Sequence, residues 1–462
     1  MASFRLDEIA EKTKGRIIQG DAGLIVKDFD IDSRQIAPGG LFFAVVAKRD
    51  GHDYIMDARR AGAAAAVVSR DVQPPDPGFG IIRVENTVTA LQELAKKLLS
   101  LNPVKVVGIT GSAGKTTTKE FVASLLGGRY RVLKSEKNLN NYLGLALSVL
   151  RLSPEDEVAV LEMAMSAAGE IRDLTKIAPP DIAVITNVNP VHLEFFESLE
   201  AIAEAKREIL DGVKPGGLAV LNADDPLVRK VSAGFVGRKI LFGLSADSEV
   251  RAAAIRKCGL DGMSFELWMA HRHALVQFHF FSEGYLYNLL AAAGVAHAFG
   301  LGPADLAEPV SGLKPFPGRG SLVRLRSGIK LIDDTYNSNP KALESALKSL
   351  AGLPAKRRVA VVGDMLELGK DEAAYHLLAG RQAAEAGWDL LVTVGPRSMH
   401  VADGAAKAGL ARSRIISFAD SAEAADGILP LLRDNDLILV KGSRGMRTEK
   451  IAEKIIKQIG EA

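Results

Sequence analysis

The stretch VVGITGSAGKTTTKEFVASLL, residues 106–126, runs from an apolar segment through a turn holding two glycines into a segment with helical spacing. Few local arrangements satisfy that order. The apolar residues 104–110 read as a buried strand, the polar turn lies at its carboxyl end, and the helix folds back over the sheet. A helix N-terminus carries unpaired N–H groups and the positive end of the helix dipole, and both attract anions. Gly111 and Gly114 let the backbone curl, so that the amides of Gly111, Ser112, Ala113, Gly114, Lys115, Thr116 and Thr117 can point inward. Lys115 adds an ammonium, and Thr116 a hydroxyl of the kind that binds Mg²⁺ beside a phosphate. One position departs from the general phosphate-loop spacing: Ile109 stands where a glycine is usual, with Gly108 and Gly111 nearby. A plain turn with an incidental lysine is the alternative. The strand–turn–helix context favours phosphate binding.

The same alternation continues downstream. Apolar runs at 158–163, 182–188 and 218–221 are separated by helical segments such as 199–210. This predicts an α/β unit with a parallel sheet covered by helices. After the break GLKPFPGRG the pattern restarts with 329–332, a helix 341–350, 359–362, a helix from 373, 390–394 and 437–440. Before residue 100 there are short strand patterns at 40–46 and 64–68. A chain of 462 residues is too long for one core. Three domains are expected: a small mixed α/β N-terminal domain over 1–100, a central P-loop ATPase-like parallel sheet over 101–313, and a Rossmann-like α/β domain over 314–462.

Bulk properties exclude several classes. Apolar residues at 47% and charged residues at 25% are ordinary globular values, and a net charge of +2 gives no bulk attraction to nucleic acids or membrane surfaces. The single cysteine, Cys258, has no partner for a disulfide or a thiolate metal site, which fits a reducing compartment. The N-terminal MASFRLDEIAEK lacks an apolar signal core, and no apolar run approaches the roughly 20 residues of a membrane span. A cytoplasmic protein without a targeting segment is expected.

Two further residues fall at the carboxyl edge of the predicted sheet, beside the phosphate turn. Glu162 ends one strand and His192 follows another. Glu162 and Thr116 offer the oxygen ligands that Mg²⁺ prefers, whereas His192 offers a nitrogen. Their plain readings are a solvated strand-end carboxylate and a satisfied loop histidine. Lys206, within EAIAEAKREI, sits among charges at helical spacing and by itself reads as part of a solvated face.

GITGSAGKTTTKE resembles the ATP loop of the Mur ligases, which extend the stem peptide of peptidoglycan. The resemblance continues in the family's order through NLNNYLG, LEMAMSAAGEI, TNVNPVHLEFFESLEAIAEAKREI, PGRG, LIDDTYNSNP, VVGDMLELG and VKGSRGM. Upstream, DSRQIAPGGLFFAV and RDGHDYI resemble its first domain. DDTYNSNP and GDMLELG are most similar to the branch that adds D-alanyl-D-alanine to UDP-N-acetylmuramoyl-tripeptide. What the resemblance implies is an ATP-dependent amide ligase working through an acyl phosphate, with ATP and Mg²⁺ as its cofactors; a monomer is expected, although the sequence itself is silent on oligomeric state. It implies Lys115, Glu162, His192 and Lys206 as catalytic residues, and Thr116, Glu162 and His192 as metal ligands. Lys206 would match the lysine that some members carry as a carbamate.

It further implies ATP contacts from Asn288, Arg319 and Asp334, and UDP-sugar contacts from Ser33 and Arg34. Asn138, Asn140 and Asn141 would line the substrate side, and Tyr336, Asn337 and Asn339 the face of a closing third domain. Asparagine clusters also mark ordinary turns, and Asn288 reads equally as a cap or core amide. Two departures stand out: Ala164 replaces a usual glycine, and EGYLYNLLAAA keeps only Asn288 of the family's asparagine pattern. Rival readings are another Mur ligase, a folylpolyglutamate synthase-like ligase, and a P-loop switch ATPase.

Overall fold

A computed structural model describes residues 3–136, 138–191 and 193–462 of the chain. Its three large sheets follow one another along the sequence, and the glycine turn leaves a strand of the second.

The first unit is a five-stranded sheet ordered Arg16–Gln19, Gly80–Arg83, Ala65–Val68, Leu41–Phe43, Phe29–Asp30. It is parallel except where Arg16–Gln19 runs against Gly80–Arg83. Helix Thr87–Leu101 follows, started by Asn86, whose Oδ1 accepts from the N–H groups of Val88 and Thr89. Leu91, Leu94, Ala95 and Leu98 recur at helical spacing and are buried. They join a single apolar cluster with Leu145, Val149 and Leu174 of the next unit, so the first unit is packed onto the second.

The central sheet has nine strands: Arg272–Phe278, Met263–Met269, Val250–Lys257, Arg238–Gly243, Leu218–Asn222, Ile182–Ile185, Lys105–Thr110, Val158–Glu162 and Val132–Lys134. Side chains on a strand alternate between faces, and strand Lys105–Thr110 obeys this. Val106 enters the cluster shared with the first unit, whereas Val107 and Ile109 enter the opposite one, under helices Lys115–Leu126 and Glu283–Ala298. The sheet departs from the expected all-parallel pattern at one edge. Met263–Met269 runs against both Val250–Lys257 and Arg272–Phe278. The hairpin joining the last two strands turns through Ala270, in the left-handed region at φ 51°, with no Asn-Gly or Asp-Gly signal to mark it.

The third unit is a six-stranded sheet ordered Ser321–Arg324, Lys330–Asp334, Asp436–Lys441, Arg357–Gly363, Leu390–Val394, Ile415–Phe418. It is parallel beyond its first pair. Arg357 and Asp436, paired across two central strands, form a two-pronged ion pair at 2.9 and 2.6 Å, with the Asp436 side chain fully buried. Removing the guanidinium leaves a buried carboxylate with no opposite charge and, among the described residues, only the Arg433 N–H, at 2.8 Å, to hold it. Breaking a buried pair in this way costs about 3–5 kcal/mol. Arg357→Ala, in a Trp268→Phe background so that buried Trp388 is the sole indole, should therefore move the urea midpoint of the Trp388 emission change well downward. An unchanged midpoint would contradict this account of the third unit.

Candidate active site

Strand Lys105–Thr110 lies between Ile182–Ile185 and Val158–Glu162, and the turn after it is built against the ends of both neighbours. Gly111 has φ 149° and Gly114 φ 82°, backbone that favours glycine. Space imposes the same choice. A Cβ on Gly111 would lie 1.9 Å from Thr186 Oγ1, and one on Gly114 2.0 Å from Asn288 Oδ1. The polar groups on the outer side of the turn are satisfied by 186–189. Thr186 Oγ1 and Asn187 Nδ2 donate to Ala113 O at 2.7 and 3.0 Å, and Ala113 N–H donates to Asn187 Oδ1 at 2.9 Å. Ser112 exchanges hydrogen bonds with Asn189, its hydroxyl donating to Asn189 O and accepting from Asn189 N–H.

Helix Lys115–Leu126 starts at this turn with Gly114 as its cap. Its first residues meet the strand on the other side: Thr116 Oγ1 donates to Glu162 Oε2 at 2.7 Å, and Asn140 Nδ2 donates to Glu162 Oε1 at 2.9 Å. Glu162 N–H is itself held by Ser135 Oγ at 3.1 Å. Glu162 is thus a buried, oriented carboxylate rather than a solvated strand end. A hydroxyl oxygen beside a carboxylate is a donor set that suits a hard cation whose remaining ligands are phosphate and water. Among the described residues no three His, Cys, Asp or Glu side chains converge. His192 lies outside the described residues.

Cations gather here. Lys115 Nζ donates to Gly111 O at 2.7 Å, and burial, with Arg319 adding to it, pushes its ammonium down against the opposing pull of Glu162. Lys206 corrects the reading of a solvated face: it is 2% exposed, and burial together with Lys115 pushes its ammonium far below the usual lysine range. Among the described residues no carboxylate pairs with its Nζ. Its helix, Leu199–Asp211, shows charges to solvent through Glu204 and Arg207 while turning Lys206 inward with Ile202, Ala205 and Ile209.

The turn, Lys115 and Glu162 border a cavity of about 1640 Å³ whose walls come from all three units. That exceeds the roughly 300–1,000 Å³ of a single small-molecule site, so there is room for a nucleotide and a second substrate. The turn residues Ser112 to Thr117, Asn138, Asn140, Asn141, Glu162 and Asn288 line it from the central unit, and Arg319, Asp334, Tyr336, Asn337 and Asn339 from the third. Asp334 is bonded to Lys441 Nζ at 2.6 Å; burial pushes its carboxyl up while Lys441 and Arg319 oppose the shift. Tyr285, on helix Glu283–Ala298, has its hydroxyl raised well above the usual range by burial and by Asp334.

Some expected residues already have structural duties. Asn141 Oδ1 caps helix Tyr142–Leu150 and Asn339 Oδ1 caps helix Pro340–Ala351, each accepting an N–H at 2.9 Å. Ser33 and Arg34 do not reach the cavity: Ser33 is buried in the first unit, and Arg34 pairs with Asp32 at 2.7 Å on its surface. Thr186, Asn187, Asn189, Ser135 and Lys441 carry no assigned role in the sequence reading, although TNVNP and VKGSRGM contain four of them. They act through carbonyls and carboxylates that only the assembled sheet brings near.

Comparison with known proteins agrees with this geometry. The model described as Mur ligase middle domain matches residues 109–296, that of Mur ligase, glutamate ligase domain residues 318–444, and that of Mur ligase family, catalytic domain residues 26–98. The chain is 33% identical to the UDP-N-acetylmuramoyl-tripeptide–D-alanyl-D-alanine ligase of Bacillus subtilis over 460 residues, 99% of each chain. A crystal structure of MurF from Acinetobacter baumannii superposes with a TM-score of 0.90 at 27% identity, covering 99% of this chain and 100% of that one. A MurF ligase from Thermotoga maritima, solved in complex with ADP, is 32% identical with a TM-score of 0.82, covering 94% and 98%.

Crowding at the turn gives a direct test. Gly114→Ala should leave the far-ultraviolet circular dichroism unchanged, because the strain is confined to one turn. It should weaken ADP binding by roughly tenfold or more, read by titration calorimetry. Unchanged affinity would contradict the role assigned to the close approach of Asn288.

Proposed function

The chain belongs to the Mur ligase family, and from that premise we propose that it joins D-alanyl-D-alanine to UDP-N-acetylmuramoyl-tripeptide. ATP becomes ADP and phosphate, and the product is the UDP-N-acetylmuramoyl-pentapeptide of peptidoglycan synthesis. The observation that carries this reading is a phosphate turn at one wall of a cavity large enough for two substrates and bordered by three units. The units act as a UDP-sugar-binding domain (1–100), an ATP-binding domain (101–313) and a lid carrying the dipeptide (314–462). The enzyme works in the cytoplasm as a monomer, with no membrane or nucleic-acid partner; among the described residues no helix is long and apolar enough to cross a membrane.

A carboxylate resists attack because its charge repels nucleophiles and its oxygen leaves poorly. Moving the γ-phosphoryl of ATP onto the tripeptide carboxylate gives an acyl phosphate, and the dipeptide amine then displaces phosphate. Phosphoryl transfer needs alignment and charge neutralisation more than covalent help from the protein. The amides of Gly111 and 114–117 and the Lys115 ammonium hold the phosphates, while the N–H groups of Ser112 and Ala113 are spent on Asn187 and brace the turn. Asn288 and Asp334 hold the nucleoside, and Arg319 the charge that develops on transfer. Thr116 and Glu162, with His192, would hold Mg²⁺. When bound, the ion neutralises phosphate charge. Asn138, Asn140 and Asn337 face the peptide, while the sugar nucleotide runs along the first unit, where Ser33 and Arg34 lie. Closure of the third unit keeps water from the acyl phosphate.

Burial and the nearby Lys115 push the Lys206 ammonium far below the usual lysine range and so favour the neutral amine, the form that adds to CO₂. A C–N bond forms, one amine proton passes to solvent, and Lys206 becomes a carbamate anion facing Lys115. Labelled bicarbonate should give a carbamate carbon resonance in the wild-type protein that is absent from Lys206→Arg. No such signal in an active wild-type enzyme would exclude the modification.

ADP release should require both the UDP-tripeptide and D-alanyl-D-alanine; release driven by glutamate and a folate would refute the substrate assignment. Lys115→Ala should lower turnover by roughly several hundredfold while leaving the melting curve intact. Near-normal turnover would remove Lys115 from the mechanism.

A further inference from the structure

Arg319 reaches the cavity from a turn between two left-handed glycines, Gly318 at φ 71° and Gly320 at φ 69°. That turn is tied to the loop after strand Lys330–Asp334. Tyr336 N–H donates to Gly318 O at 2.9 Å, and Gly318 N–H donates to Asp333 Oδ2 at 3.1 Å. On its inner side a Cβ on Gly320 would meet the Tyr285 hydroxyl at 2.8 Å, so the turn is pressed against the central unit. Held this way, the Arg319 guanidinium carbon lies 3.9 Å from the centroid of the Tyr336 ring. Arg444 lies on the same ring at 5.6 Å, while its N–H reaches Asn337 Oδ1 at 3.4 Å.

How Arg319 is held matters for what it can do. Among the described residues no carboxylate forms an ion pair with it, and the neighbouring Asp334 is bonded to Lys441 instead. A carboxylate would orient the guanidinium but neutralise it and compete with a phosphate for its N–H donors. An aromatic face orients the same flat group and leaves its charge and its in-plane donors available. The charge remains effective at a distance: Arg319 is among the causes that lower Lys115 and hold down Asp334. Two cations from different units therefore face one space, an arrangement that repels unless a polyanion lies between them.

We propose that Tyr336 is a positioning residue for Arg319, its ring holding an un-neutralised guanidinium toward the phosphate groups of the nucleotide. The inference rests on the ligase reading above and changes the role of Tyr336 from a substrate contact to a support for Arg319. Only the ring face matters in this role, so the hydroxyl is dispensable.

The full-length enzyme tests it by steady-state kinetics. Y336F should keep kcat/KM for ATP within about twofold, and Y336L should lower it roughly tenfold with KM for D-alanyl-D-alanine unchanged. In an R319A background Y336L should add no further loss. A rise in the dipeptide KM with kcat/KM for ATP intact would overturn the proposal, as would a full tenfold loss persisting in R319A. If Y336L fails to fold, R319K serves, because lysine cannot lie flat on the ring: a loss matching R319A supports the proposal and wild-type behaviour overturns it. Should the wild type prove inactive as a ligase, the function assigned above fails. The pairing is then still read by Mg²⁺–ATP titration calorimetry, where equal affinities for wild type and Y336L overturn it and equal weakening by Y336L and R319A supports it.

Discussion

The turn after Thr110 must present N–H groups to an anion without leaving its other polar groups unsatisfied inside the protein. It meets this demand by giving its outer side to 186–189. Ala113 uses its N–H and its carbonyl on Asn187 and Thr186, and Ser112 uses its hydroxyl twice on Asn189. Those partners stand at the end of the strand paired with the turn's own strand, so sheet register fixes where the turn sits. Glu162 arrives by the same logic from the other side. Gly111 and Gly114 then permit an approach that no side chain would allow. The rest of the site is arranged around this braced turn.

The third unit is placed by different physics. Of the cations it brings to the cavity, Lys441 is paired with Asp334 and Arg444 with Glu449, whereas Arg319 forms no ion pair among the described residues. Lys115 faces them from the central unit, so positive charge from two units is offered to an anion bound between them. A triphosphate is the anion such a field is suited to.

The phosphate turn was legible because its demands are local: glycines where the backbone curls, a lysine and threonine at the helix start, and an apolar strand before it. Glu162 was legible for a related reason, since the end of an apolar run marks a sheet edge. Lys206 was not, because its helix surrounds it with Glu204, Arg207 and Glu208 and only the position of the neighbouring strands decides which side faces inward. The bracing role of Thr186, Asn187 and Asn189 was equally hidden, as polar residues after a strand look alike whether they cap a turn or support one. Met263–Met269 and Arg272–Phe278 alternate apolar and polar residues, but their turn at Ala270 lacks the residues that announce a hairpin. Asn141 and Asn339 show the converse: an asparagine before a helical run explains itself as a cap, with or without a substrate.

If the braced turn and the surrounding cations serve to make an acid reactive, the enzyme should phosphorylate the tripeptide carboxylate before any amine arrives. Incubating it with ATP, Mg²⁺ and UDP-N-acetylmuramoyl-tripeptide, omitting the dipeptide, and trapping with borohydride measures this directly. The account predicts that the terminal carboxyl is recovered as an alcohol, in an amount no greater than the enzyme present. Recovery of unreduced tripeptide alone, from enzyme that turns over normally once the dipeptide is added, would contradict it.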